Sequence, residues 1–96
     1  MKATLLTAAK EVRDDGIIVE IMVWSLPDPL PPCTHRYKYR LFYGRQGERL
    51  IGYDNERGKG DHRHRQGKEL LYQFTTPEKL LADFEADIAV IEGSNA

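Results

Sequence analysis

A chain of 96 residues is too short for two independent hydrophobic cores, because units below about 40 residues usually need disulfides or metals to hold them, so residues 1–96 are expected to form a single domain. An apolar content of 41%, a charged content of 30% and a net charge of -1 exclude intrinsic disorder. Cys33 is the only cysteine, which excludes an intrachain disulfide framework and a four-cysteine zinc site.

Residues 4–12 and 16–24 are two β-rich runs around Asp14-Asp15-Gly16, and Asp-Gly tolerates the positive φ of a tight turn, so a hairpin is expected. In the second run Ile17, Val19, Ile21 and Val23 share one face and Ile18, Glu20, Met22 and Trp24 the other. Both faces are largely apolar, which predicts a central strand covered on each side, with Trp24 in the core. Ser25 to Pro32 carries four prolines, which cannot donate ladder hydrogen bonds, and is expected to be a stiff connector.

From Arg36 to Tyr43, Tyr37, Tyr39, Leu41 and Tyr43 alternate with Arg36, Lys38, Arg40 and Phe42, a strand with a basic outer face. Gly44 to Gly47 turns into a strand over residues 48–53, and residues 70–74 form another β-type run. Thr75 or Thr76 caps a final helix with Pro77 in its first turn. Leu80, Leu81, Phe84, Ile88 and Ile91 make its buried stripe, Asp83, Glu85 and Asp87 lie toward solvent, and Gly93 ends it. The expected fold class is α+β: an antiparallel sheet of about five strands with one C-terminal helix packed on it.

Charge is segregated along the chain. Residues 36–68 carry ten basic side chains against four acidic ones, a net of +6, whereas residues 69–96 carry one lysine against six carboxylates, a net of -5. Two surfaces with different partners are expected.

The stretch Tyr53 to His64 combines acids, bases, two histidines and two glycines in twelve positions, and is expected as a polar loop at one edge or end of the sheet. Gly58 and Gly60 around Lys59 resemble an anion cradle, although the pattern is not a P-loop and a plain solvated turn suits it equally. If residues 62–64 are extended, His62 and His64 share a face about 6 to 7 Å apart and Arg63 points away. One neutral and one protonated imidazole then suit metal-independent RNA cleavage, with Asp61 and Asp54 as carboxylate partners, Asp61 as the orienter, and Arg57, Lys59 or Arg65 stabilising phosphoryl oxygens. Arg36, Lys38 and Arg40 are spaced to track a nucleic-acid backbone; a charged edge that blocks aggregation is the plainer alternative. A metal site recruiting Asp54, Asp61, His62 and His64 ranks lower, since no diagnostic spacing supports it, and no cofactor is called for. His35 is a secondary candidate, and Cys33 has no catalytic neighbour in sequence.

Tyr37-Lys38-Tyr39-Arg40-Leu41-Phe42-Tyr43-Gly44, Tyr53-Asp54-Asn55-Glu56 and Gly58-Lys59-Gly60-Asp61-His62-Arg63-His64, in that order, resemble the TumE family of bacterial toxin–antitoxin toxins. The resemblance runs from the opening hairpin to the Leu80-Leu81-Ala82-Asp83-Phe84 helix. It implies a small cytoplasmic toxin paired with a cognate antitoxin, usually a helix-turn-helix protein, and carries no catalytic assignment. RNA as target, no membrane partner and a second copy of the chain as further partner complete the expectations. The rival readings are a non-catalytic nucleic-acid or protein binding module and a metal-dependent nuclease.

Overall fold

Asp14, Asp15 and Gly16 reverse the chain between β1 (Thr4–Val12) and β2 (Ile18–Ser25). Gly16 takes a φ of 89°, a value costly for any residue with a Cβ, and the Asp15 carboxylate accepts the Ile17 N–H at 3.0 Å. The computed structural model describes residues 2–94; the remaining positions, at the two ends of the expected domain, lie outside the described residues. The connector follows, then β3 (Tyr37–Arg45), β4 (Glu48–Glu56), β5 (Gly60–Arg65), β6 (Lys68–Leu71) and α1 (Pro77–Ser94). All six strands pair antiparallel with their sequence neighbours, in the order β1-β2-β3-β4-β5-β6.

The sixth strand is β5, which runs through the stretch expected as a loop. Tyr53 to His64 is instead a hairpin, with Asp54 opposite His62 and Gly52 opposite His64. β5 has polar side chains on both faces, so no apolar alternation announces it; ladder bonds to a strand on each side hold it.

The helix covers one face of the sheet. Thr76 Oγ1 accepts the Lys79 N–H at 3.1 Å, the cap expected ahead of Pro77. Leu80 and Phe84 then enter a core with Ile17, Val23, Tyr39, Leu41, Tyr43, Ile51 and Tyr53, flanked by Leu81, Ile88 and Ile91. Asp83 and Asp87 face the sheet as well, contrary to the solvent positions expected for them. The Tyr72 hydroxyl donates to Asp83 at 2.6 Å, the Tyr53 hydroxyl donates to Asp87, and Arg63 and Arg65 lie 4.0 and 3.8 Å from Asp87. Their spacing from Leu80 and Phe84 is helical, so period overrides charge.

The opposite face carries Ile18, Glu20, Met22 and Trp24 on β2, Lys38, Arg40 and Phe42 on β3, Gly52 and Asp54 on β4, and His62 and His64 on β5. Among the described residues no element covers it. β2 is therefore covered on one side only, and Trp24 is half-buried on the open face rather than in the core. No helix among the described residues is long and apolar enough to cross a membrane.

Candidate functional site

Strand alternation sends consecutive residues of β5 to opposite faces. His62 and His64 go to the open face, their ring centroids 5.3 Å apart; Asp61, Arg63 and Arg65 go to the helix side.

On the open face, Asp54 stands across the ladder from His62. His62 is only 4% exposed, and its Nδ1–H donates to the Gly60 carbonyl at 3.1 Å, which turns Nε2 toward Asp54 Oδ1, 2.7 Å away. His64 Nε2 lies 3.8 Å from the same oxygen and Glu69 Oε1 lies 3.6 Å from His62 Nε2. Despite the short approach, Asp54 Oδ1 is buried without a hydrogen-bond partner, alone in this respect among side-chain polar atoms of the described residues. Orphaned buried oxygens are rare because losing water without a replacement donor costs about 1–3 kcal/mol.

Arg49, absent from the expected site, comes to this face through a β-bulge. Tyr43 pairs with Ile51 and Gly44 with Arg49, leaving Leu50 as the extra residue, so Leu50 packs on the core and Arg49 is re-aimed. Its side chain lies over Gly52, where a Cβ would meet Arg49 Cδ at 2.7 Å. Burial first, and then the Arg49 charge, hold the His64 pKa below the ordinary 6.5, so His64 is neutral at pH 7. Arg40, Phe42, Arg49, Gly52 and Asp54 line a cleft of about 290 Å³ on this face.

The other expected residues are distributed around this centre. Lys38 donates to the Asn55 carbonyl at 2.6 Å, Lys59 lies 3.8 Å from Glu69, and Arg36 and Arg57 are exposed. The Gly58 N–H donates to the Pro31 carbonyl at 2.8 Å and the Lys59 N–H to the Glu56 carbonyl at 3.1 Å. Both amides are used within the chain, so Gly58-Lys59-Gly60 is a tethered turn, not an anion cradle. Arg65 faces the helix through Asp87.

Asp61 does not reach the histidine pair. Its carboxylate accepts the Tyr39 hydroxyl at 2.6 Å and His35 Nε2 at 2.8 Å. His35 Nδ1 accepts the Tyr37 N–H at 3.1 Å, and its ring packs on Phe74 with centroids 4.0 Å apart. Cys33 lies beside them, its thiol pKa raised by burial and then by Asp61. Asn55, fully buried, completes the group: its Oδ1 accepts the Tyr39 N–H at 3.0 Å and its Nδ2 donates to the Tyr37 carbonyl at 2.7 Å.

No curated protein and no solved structure matches the chain. The family described as Toxin TumE matches over residues 2–92, nearly its whole length. The chain therefore belongs to the TumE family, as the toxin component of a toxin–antitoxin system, whose partner is an antitoxin.

Proposed function

We propose that this toxin acts in the cytoplasm on RNA, binding it across the open sheet face and cleaving it at Asp54, His62 and His64. The observation that carries the proposal is the meeting of these three side chains beside an arginine-lined cleft, on the face the helix leaves bare. Arg40 and Arg49 supply cations for phosphoryl oxygens, and Arg36, Arg57 and Lys59 extend the basic surface. Phe42 and Trp24, half-buried on the same face, offer aromatic surface for bases.

Metal-independent acid/base cleavage would use neutral His64 as the base toward a 2'-hydroxyl and His62 as the acid. One observation favours a second reading, metal-dependent cleavage: both Nε2 atoms approach the same carboxylate oxygen instead of flanking a space the size of a phosphate. In either reading a helix-turn-helix antitoxin presenting acidic groups to the basic face would neutralise the toxin by occupying it.

The test incubates purified toxin with total RNA beside His64→Ala and the His62→Ala/His64→Ala double variant. Loss of cleavage by about 100-fold or more is expected in both. Toxicity with intact RNA, or RNA binding without cleavage that the double variant leaves unchanged, would overturn the assignment in favour of a binding module.

A further inference from the structure

The donor atoms of Asp54, His62 and His64 all lie within 4.8 Å of one another. A divalent ion with bonds of about 2.0–2.2 Å to imidazole nitrogen and carboxylate oxygen sets its ligand atoms roughly 3 to 3.5 Å apart. The distances of 2.7 and 3.8 Å from the two Nε2 atoms to Asp54 Oδ1 bracket that range.

Proton placement points the same way. Gly60 O can only accept, so His62 Nδ1 carries a hydrogen and Nε2 is the ring nitrogen on the Asp54 side, 2.7 Å from Oδ1. Asp54 Oδ1 has no hydrogen-bond donor despite that approach, and a cation bound by Nε2 and Oδ1 together satisfies it. A backbone carbonyl on the far ring nitrogen is also the usual support of a metal-bound histidine, fixing its tautomer and orientation.

A second cluster, Cys33, His35 and Asp61, meets the same distance condition and fails on this point. Tyr37 N–H occupies His35 Nδ1, which places the hydrogen on Nε2, where Asp61 accepts it. A metal on that nitrogen would displace the hydrogen with no acceptor waiting at Nδ1.

We infer that Asp54, His62 and His64 hold one divalent transition-metal cation of the zinc, manganese or iron class. Two imidazoles and one carboxylate suit these ions better than magnesium or calcium, and three protein ligands leave positions for water and a phosphate oxygen. Glu69 adds negative charge beside the site, while Arg40 and Arg49 stand where the phosphate of a metal-bound substrate needs counter-charge. The inference rests on Asp54, His62 and His64 being the reactive centre, but its test does not depend on RNA.

Zn2+ is titrated calorimetrically into metal-free full-length protein, and Co2+ is followed by absorption. One ion per chain is expected, with a higher Tm in excess Zn2+ and no intense thiolate-to-cobalt band. Asp54→Asn and His64→Ala, checked for native circular dichroism, should weaken binding by about tenfold or more, whereas Cys33→Ser should leave it unchanged. Absence of binding to Zn2+, Co2+ and Mn2+, unaltered binding in Asp54→Asn and His64→Ala, or a thiolate band lost in Cys33→Ser would each overturn the inference. RNA cleavage with and without EDTA separates the two proposals. Binding without cleavage breaks the functional proposal alone; cleavage that survives EDTA in a protein that binds no ion breaks this one alone.

Discussion

Asp61 and His62 are adjacent on β5, yet they belong to two clusters of similar composition on opposite faces of one sheet. In the first, Asp61 takes hydrogen bonds from Tyr39 and His35, His35 takes the Tyr37 N–H, and Asn55 pairs with the β3 backbone. It joins the proline-rich connector to β3 and β5. In the second, Asp54, His62 and His64 converge while Asp54 Oδ1 remains without a donor. A histidine–carboxylate group whose valences close on themselves holds a fold together, whereas one left open retains capacity for a ligand.

The largest effect that tests this contrast is on stability. Asp61→Ala strands a buried phenol and removes the partner of His35, and should lower the unfolding free energy by about 2–4 kcal/mol in urea denaturation. A loss below about 1 kcal/mol would mean the closed cluster is not a structural lock. On the open face, Arg49→Ala and Arg40→Ala should each weaken RNA binding by roughly tenfold and reduce the salt slope by about one; equal salt slopes in variant and wild type would remove these arginines from the phosphate path.

Asp54→Asn is the sharpest comparison with Asp61→Ala, although its effect is smaller. The new amide can donate to His62 Nε2, so the metal-free protein should be unchanged or gain up to about 1 kcal/mol, even as cleavage is lost. A clear destabilisation in urea would instead identify an ion pair between Asp54 and protonated His62.

The smallest expected effect concerns Asp83, a carboxylate of the helix side. Burial raises its pKa, but hydrogen bonds from Lys79 and Tyr72 outweigh this and bring it below 3.8. A carboxylate whose folded pKa is depressed contributes stability above its unfolded pKa and loses it as pH falls through the folded value. The difference in unfolding free energy between wild type and Asp83→Asn, measured by urea denaturation, should therefore shrink from about pH 5 to pH 3, by tenths of a kcal/mol for so exposed a pair. A difference that is constant with pH would show that the Asp83 charge is unimportant.

Much of this was legible beforehand. The Asp-Gly hairpin, the tyrosine–arginine alternation of β3 and the Thr76-Pro77 helix start each depend on local rules of turn, period and cap. β5 was not legible, because neither face is apolar and its partners are strands elsewhere in the chain. Arg49 was missed because one extra residue, Leu50, reverses the parity that alternation would assign it. The burial of Asp87 is not legible locally either, because a carboxylate on a helix reads as solvent-facing and its partners Tyr53, Arg63 and Arg65 lie on other elements.

The amino-acid sequence by itself determined the residue types of the site, their concentration between Tyr53 and His64, and the shared face of His62 and His64, because a two-residue period is a property of any extended chain. Only the tertiary structure decided which carboxylate joins them. Asp61 is nearer in sequence, but cross-strand register brings Asp54 opposite His62 and turns Asp61 to the other side of the sheet, since pairing between strands, not distance along the chain, sets which side chains meet.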